Sequence, residues 1–135
     1  MIEFPEHLLY SHNHMWVEIE DKNKRLARIG ITSFLREELP EILTVDLPME
    51  GDQVEIDEQN ILLHLEDEED NEFRSIGFPL SGHVIEINKE VLNNPDLLHL
   101  EPYEHWIMRL QYEEPGELDL LMDADKYNLA LEVLR

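Results

Sequence analysis

Residues 61–87, ILLHLEDEEDNEFRSIGFPLSGHVIEI, have the pattern of a β-hairpin. The apolar runs at the two ends are typical of strands, and the residues between them, 66–72, are acidic apart from Asn71. Carboxylates at this density cannot be buried and must project into water. We therefore expect residues 66–72, hereafter the acidic segment, to be displayed at the exposed end of a rigid hairpin, where functional groups are often found.

Alternation of apolar and polar residues before and after this hairpin predicts more strands. Residues 10–31 predict a second hairpin with DKNKR as its turn, and residues 42–47 and 105–112 each predict one strand. We expect one domain over residues 1–135, with its β core at about residues 10–112. The predicted fold class is mainly β and mostly antiparallel.

The helical patterns are short. Ser33 is the expected N-cap of a helix that Pro40 stops. The C-terminal segment, at about residues 116–135, predicts two short helices, the second capped by Asp123. The N-terminus has no basic segment followed by an apolar one, and no apolar run approaches the roughly 20 residues that span a bilayer. We therefore expect a cytoplasmic protein.

Charge is the strongest compositional feature. The chain has 32 acidic and 10 basic residues, a formal net charge of −22. Such a surface repels nucleic acid and anionic membranes and favours basic partners or cations, although the same charge can serve solubility alone. The chain has no cysteine, which excludes disulfides, thiolate nucleophiles and sulfur-based zinc sites.

Two histidine pairs are candidate sites. His12 and His14 stand two residues apart and could meet on one side of a strand to bind a metal, but no third ligand is recognisable nearby. His64 and His83 lie on the two arms of the predicted hairpin and could face one another across it. For both pairs the structural interpretation is favoured, and we expect no metal site.

Catalytic patterns are missing from the sequence. The acidic segment has neither the spacing nor the glycine of an EF-hand loop, so cation binding by it stays a weak alternative. Nucleophile-elbow, P-loop and dinucleotide-binding glycine patterns are absent. The residues predict a binding or carrier domain and not an enzyme.

Five stretches taken together resemble the H protein of the glycine cleavage system. They are YSHNHMWV (10–17), IGITSFLREELPEILTVDLPMEGD (29–52), FPLSGHVIEIN (78–88), NNPDLLHLEPYEHWIMRL (93–110) and LLMDADKYNLAL (120–131). The resemblance covers nearly the whole chain from Tyr10 on. It implies a flattened antiparallel β-barrel or sandwich hybrid of the lipoyl type, with short helices that include a C-terminal one.

The resemblance also implies a cofactor position. In that family a lysine at the hairpin tip carries a lipoyl group, which shuttles an aminomethyl unit and electrons among the other glycine cleavage proteins. Alignment from the strand before the tip puts this position at Asp67, and alignment from the strand after it gives Asn71. Neither side chain can be acylated in this way, and the lysines lie elsewhere, at Lys22, Lys24, Lys89 and Lys126. We therefore predict that no lipoyl group is bound.

The predicted function is protein–protein binding without catalysis. The predicted contact residues are Glu66, Asp67, Glu68, Glu69, Asp70 and Glu72, and the expected partner is a protein with a basic surface, such as a glycine cleavage or lipoate-pathway protein. Two alternatives stay open. One is a working carrier modified at an unexpected lysine, of which Lys89 is the least implausible, and the other is a cation-binding acidic loop.

Overall fold

The computed structural model describes residues 4–66 and 73–134, and its strands form two antiparallel sheets. The larger sheet contains, in spatial order, β1 (Leu9–Tyr10), β2 (Met15–Asp21), β3 (Leu26–Ile31), β9 (Met108–Tyr112), β8 (Gly82–Ile87) and β5 (Gln53–Val54). The smaller sheet contains β4 (Ile42–Asp46), β6 (Gln59–Leu65) and β7 (Phe73–Gly77).

Alternation along the strands places the core between the sheets. On β6, Ile61, Leu63 and Leu65 are buried, whereas Leu62 and His64 are partly exposed. Buried residues of the larger sheet, such as Ile29, belong to the same apolar cluster. Because successive side chains of a strand point to opposite faces, alternation of apolar and polar residues predicts that one face of each sheet is buried. Among the described residues the sheets are not joined into a closed barrel, and the mainly β fold class is confirmed.

Helices lie between some of the strands and after the last strand. They are α1 (Ser33–Glu38), α2 (Lys89–Asn93), α3 (Asp96–Leu100), a 3₁₀ helix (Pro115–Leu120) and α4 (Ala124–Leu134). Asp123 accepts a hydrogen bond of 2.8 Å from the Lys126 amide and caps α4 as predicted. The prediction for α1 was wrong by one residue, since Thr32 is the N-cap and accepts from the Leu35 amide at 3.2 Å. None of the described helices is both long and apolar enough to cross a membrane.

The predicted hairpin differs from the observed one in its second arm, which is two strands in different sheets. β7 pairs with β6, but β8 pairs with β9 and β5 in the larger sheet. Pro79 lies in the crossing and cannot donate to a strand ladder. The Glu117 carboxylate holds the crossing by accepting hydrogen bonds of 2.8 Å from both the amide and the hydroxyl of Ser81.

A second apolar cluster attaches α4 to the edge of the larger sheet. Tyr10 and Tyr127 stack with ring centroids 4.7 Å apart, and Phe4 packs edge-on against Tyr127 at 4.9 Å. Tyr10 exchanges two backbone hydrogen bonds of 2.8 Å with Met122. The outer edge of β1 is therefore covered by the chain that leads into α4, which protects it from pairing with other strands.

Candidate functional site

The smaller sheet brings the start of the acidic segment next to β4. The Glu66 amide donates a 2.9 Å hydrogen bond to the Glu41 carbonyl, which extends the β4–β6 ladder beyond the pair Ile42 and Leu65. Glu41 and Glu66 are both exposed. A side-chain hydrogen bond with Glu66 and the negative charge of Glu66 raise the pKa of the Glu41 carboxyl, and Asp96 adds to this effect. Crowding of carboxylates therefore begins at the tip end of β6, where the acidic segment starts.

Only one of the predicted partner-binding residues lies within the part of the chain that the structure describes. Glu66 follows β6 directly and is exposed. The others, together with Asn71, lie outside the described residues: Asp67, Glu68, Glu69, Asp70 and Glu72. Both candidate lipoyl positions belong to that group. Their role in binding a partner stays a prediction.

A polar cavity of about 290 Å³ lies beside β7. Part of its lining is Arg74 and Ser75 of β7, and part is the turn formed by His12, Asn13 and His14. Asp57 fixes this turn. Its Oδ1 accepts a 2.9 Å hydrogen bond from the Asn13 side-chain amide and lies 3.2 Å from the His12 Nε2. The turn therefore bridges the start of β2 and the smaller sheet.

His14 is held inside this turn. Its φ of 68° is in the left-handed region, which histidine tolerates better than most residues. Its Nδ1 lies 2.9 Å from the Tyr127 hydroxyl, which is also 2.9 Å from the Thr32 Oγ1. Burial lowers the pKa of His14, and the positive charges of Arg74 and His12 lower it further against the opposing effect of Glu38. The neutral ring is therefore favoured as a hydrogen-bonding partner of Tyr127.

The histidine pairs do not form metal sites in residues 4–66 and 73–134, where no group of three or more potential ligands is suitably placed. The prediction that His64 and His83 could face one another was wrong, because β6 and β8 belong to different sheets. His64 instead lies 2.6 Å from the Asp46 carboxylate, and His83 lies 3.0 Å from Glu113.

Two tyrosines that position this region were not predicted from the sequence. Tyr127 links α4 to the His14 turn and to the cap of α1. The Tyr103 hydroxyl accepts a 3.0 Å hydrogen bond from the Ser33 amide. A signal for Tyr127 exists in the sequence, since Ala124, Tyr127 and Leu131 have the spacing of one buried helix face. No comparable local pattern marks Tyr103.

A family model described as the glycine cleavage H-protein matches residues 8–133. The chain belongs to the glycine cleavage H-protein family. The H protein of Brevibacillus brevis is 40% identical over 127 residues, 93% of this chain and 95% of that protein. The H protein of Halalkalibacterium halodurans is 36% identical over 128 residues, 94% of each chain. A crystal structure of the H protein from Mycobacterium marinum matches with a TM-score of 0.81 at 26% identity, covering 96% of this chain and 99% of that one.

Family membership confirms the resemblance seen in the sequence. The general properties of the family can therefore be stated. H proteins normally carry a lipoyl group and interact with the other proteins of the glycine cleavage system. The H protein is a carrier and not itself an enzyme, as the sequence predicted for this chain.

Proposed function

We propose that this member of the H-protein family carries no lipoyl group and acts by binding a basic partner protein through its acidic segment. The observation that supports this most directly is in the sequence. No lysine occurs between Lys24 and Lys89, so the chain that joins β6 to β7 offers no amine for acylation. We also propose a cytoplasmic location, which rests on sequence composition alone.

One property of the described residues supports a role for negative charge at this place. The carboxylates of Glu41 and Glu66 already crowd one another at the tip end of β6, as the raised pKa of Glu41 reflects. A lysine or arginine from a partner would relieve that repulsion. Complementary charge mainly accelerates and orients an encounter, and its contribution weakens as salt rises.

The first test is the intact mass of the protein after co-expression with a lipoate ligase in the presence of lipoate. The expected mass is that of the bare chain. A lipoyl adduct mapped to one lysine would overturn the proposal and favour the carrier alternative. The residue to check first is Lys89, which begins α2 and is exposed.

A matched variant makes this test sharper. Because the resemblance puts the lipoyl position at Asp67 or Asn71, we expect Asp67→Lys or Asn71→Lys to gain one lipoyl group where the parent chain gains none. Modification of either variant would show that the ligase still recognises this hairpin. Absence of modification in the parent chain could then be attributed to its missing lysine.

The binding half of the proposal is tested with the other purified proteins of the glycine cleavage system and a lipoate ligase, titrated one at a time. We expect one of them to bind, with an affinity that falls as salt rises. Replacing Asp67, Glu69 and Asp70 together by arginine, which cannot be lipoylated, should weaken binding at least about tenfold. The control is Glu55, Glu114 and Asp119 changed to arginine, which are exposed and give the same change in net charge. Equal losses in both triple variants, or no binding by the parent chain, would overturn this half.

A further inference from the structure

The outer face of the smaller sheet has a regular arrangement of outward side chains. The β4–β6 and β6–β7 registers align Thr44, His64 and Phe73 in one row across the three strands. A second row contains Asp46, Leu62 and Ser75. Glu41 and Glu66 lie side by side beyond the buried pair Ile42 and Leu65. Hereafter the outer face means the side chains of Glu41, Glu66, Thr44, His64, Phe73, Asp46, Leu62 and Ser75.

The centre of the outer face exposes apolar area on a rigid support. The Phe73 side chain is 59% exposed, and its ring centroid lies 6.1 Å from that of His64. The His64 ring is oriented by the Asp46 carboxylate at 2.6 Å. Next to this row, at the bulge of the edge strand β4, Leu43 is 50% exposed. Exposed apolar side chains that adjoin one another on a sheet are typical of contact surfaces, whereas single exposed ones are not.

The rim of the outer face is acidic. Glu41 and Glu66 are exposed at one end, and the Asp46 side chain is 65% exposed at the other. None of the residues of the outer face is a lysine or an arginine. The neighbouring Arg74 pairs with the inward-facing Leu63 and lines the polar cavity beside β7. An apolar centre with an acidic rim matches a surface whose apolar centre is rimmed by basic side chains.

We propose that the outer face is a docking surface for a protein that presents an apolar centre surrounded by lysine and arginine. This inference rests on the proposed function, because it extends the contact of the acidic segment onto the sheet that carries it. A second copy of this chain is disfavoured as the occupant. Two such faces would bring the acidic rims of two chains, each with a formal net charge of −22, against one another.

Photo-crosslinking identifies the occupant. A photoreactive phenylalanine analogue placed at position 73 should give one discrete adduct in cells that express the protein natively, whereas the same analogue at position 129 on α4 should not. Leu129 is a suitable control because it is apolar and 63% exposed but belongs to α4 and not to the smaller sheet. The crosslinked peptide of the partner should contain apolar residues flanked by lysine or arginine. No adduct at position 73, an adduct of two copies of this chain, or an acidic partner surface would overturn the inference.

Affinity for the purified crosslinked protein then measures the contribution of the apolar centre. We expect Phe73→Ser combined with Leu43→Ser to weaken binding at least about tenfold, since buried aromatic anchors dominate interface energies. The matched control is Leu120→Ser with Leu129→Ser, at exposures of 67% and 63%, which should leave the affinity unchanged. Equal affinity of both double variants would overturn the docking surface.

The two proposals fail in distinguishable ways. If the arginine variant of Asp67, Glu69 and Asp70 loses binding but the Phe73 and Leu43 variant does not, the acidic segment binds alone and the docking surface is wrong. If only the Phe73 and Leu43 variant loses binding, the docking surface stands and the role of the acidic segment is wrong. Loss in both supports one continuous interface.

Discussion

The outward faces of the two sheets use the same kinds of residues in opposite ways. On the larger sheet, Arg109 donates hydrogen bonds of 2.9 Å to Glu20 and to Glu86, and Arg28 pairs with Glu18. On the smaller sheet, the outer face has carboxylates without a lysine or arginine among them and an exposed phenylalanine. In a chain with few cations, ion pairing within the larger sheet leaves negative charge uncompensated on the smaller one. This difference between the two sheets agrees with the docking surface that we propose on the smaller sheet.

The largest expected effect tests the structural role of the larger sheet. In Gly82→Ala the new Cβ would lie 2.1 Å from the backbone oxygen of Gln111. Because this oxygen belongs to the backbone of a paired strand, it cannot move away as the end of a flexible side chain could. We expect the free energy of unfolding to fall by about 3 kcal/mol or more. Urea unfolding followed by circular dichroism measures this. Gly116→Ala is the control, because its Cβ would meet no atom within 4 Å, and an equal loss there would contradict the argument.

A smaller effect is expected at the contact between α4 and the turn that bridges the two sheets. Tyr127→Phe keeps the stacked ring but removes the hydroxyl that contacts His14 and Thr32. Both partners lose a hydrogen bond in a largely buried place, so unfolding should require about 1–2 kcal/mol less free energy. Tyr112→Phe is the matched buried-tyrosine control on β9. A Tyr127→Phe variant as stable as the parent would show that this contact does not hold α4 in place.

The comparison of the two faces itself predicts a pair of unequal effects. Arg109→Gln removes the charged bonds to Glu20 and Glu86 on a partly exposed surface and should lower the free energy of unfolding by about 0.5–1 kcal/mol. Phe73→Ser on the smaller sheet should change it by less than about 0.5 kcal/mol, because its side chain is already exposed. Chemical unfolding of both variants in one buffer measures the difference. Equal or reversed losses would remove the distinction between the sheets.

The smallest expected effect is a change in pH dependence. Burial lowers the pKa of His14 from its usual 6.5, so below that pH the unfolded chain binds a proton that the folded chain does not. Stability from this group is therefore present above 6.5 and falls as the pH falls through that value. His14→Asn keeps a residue that tolerates positive φ, and its unfolding free energy should decline less between about pH 7 and 5. Parallel declines in parent and variant would contradict the predicted neutral ring.

Most individual elements were predictable because their signals are local. Alternating apolar residues marked the strands, and Asp123 marked the start of α4 three residues before the amide that it caps. The cap of α1 was placed one residue late, since Thr32 and Ser33 can both cap and the choice depends on where the chain leaves β3. Family membership was also predictable, because the sequence contains the motifs of the family in the same order along the chain.

The division of the second hairpin arm into β7 and β8 was not predicted, although Pro79 is a residue that disfavours a continuous strand at this place. β7 and β8 are separated by four residues, of which Phe78 and Leu80 are apolar, so the sequence shows the same apolar pattern for one strand or for two. What separates them is the pairing of β8 with β9, which lies far along the chain, and the clamp of Ser81 by Glu117. Contacts of this kind depend on the assembled sheets, so periodicity cannot specify them.

The sequence by itself determined the charge, the strand alternation, the family and the absence of a lysine between Lys24 and Lys89. Only the tertiary structure decided which side chains share a face. Thr44, His64 and Phe73 come from three strands and meet in one row because inter-strand hydrogen bonds set the register. His14 and Tyr127 meet because α4 packs on the edge of the larger sheet. The pattern of apolar residues in the sequence predicts which face of a strand or helix is buried. Which residues contact that face depends on packing between segments that are distant in the sequence.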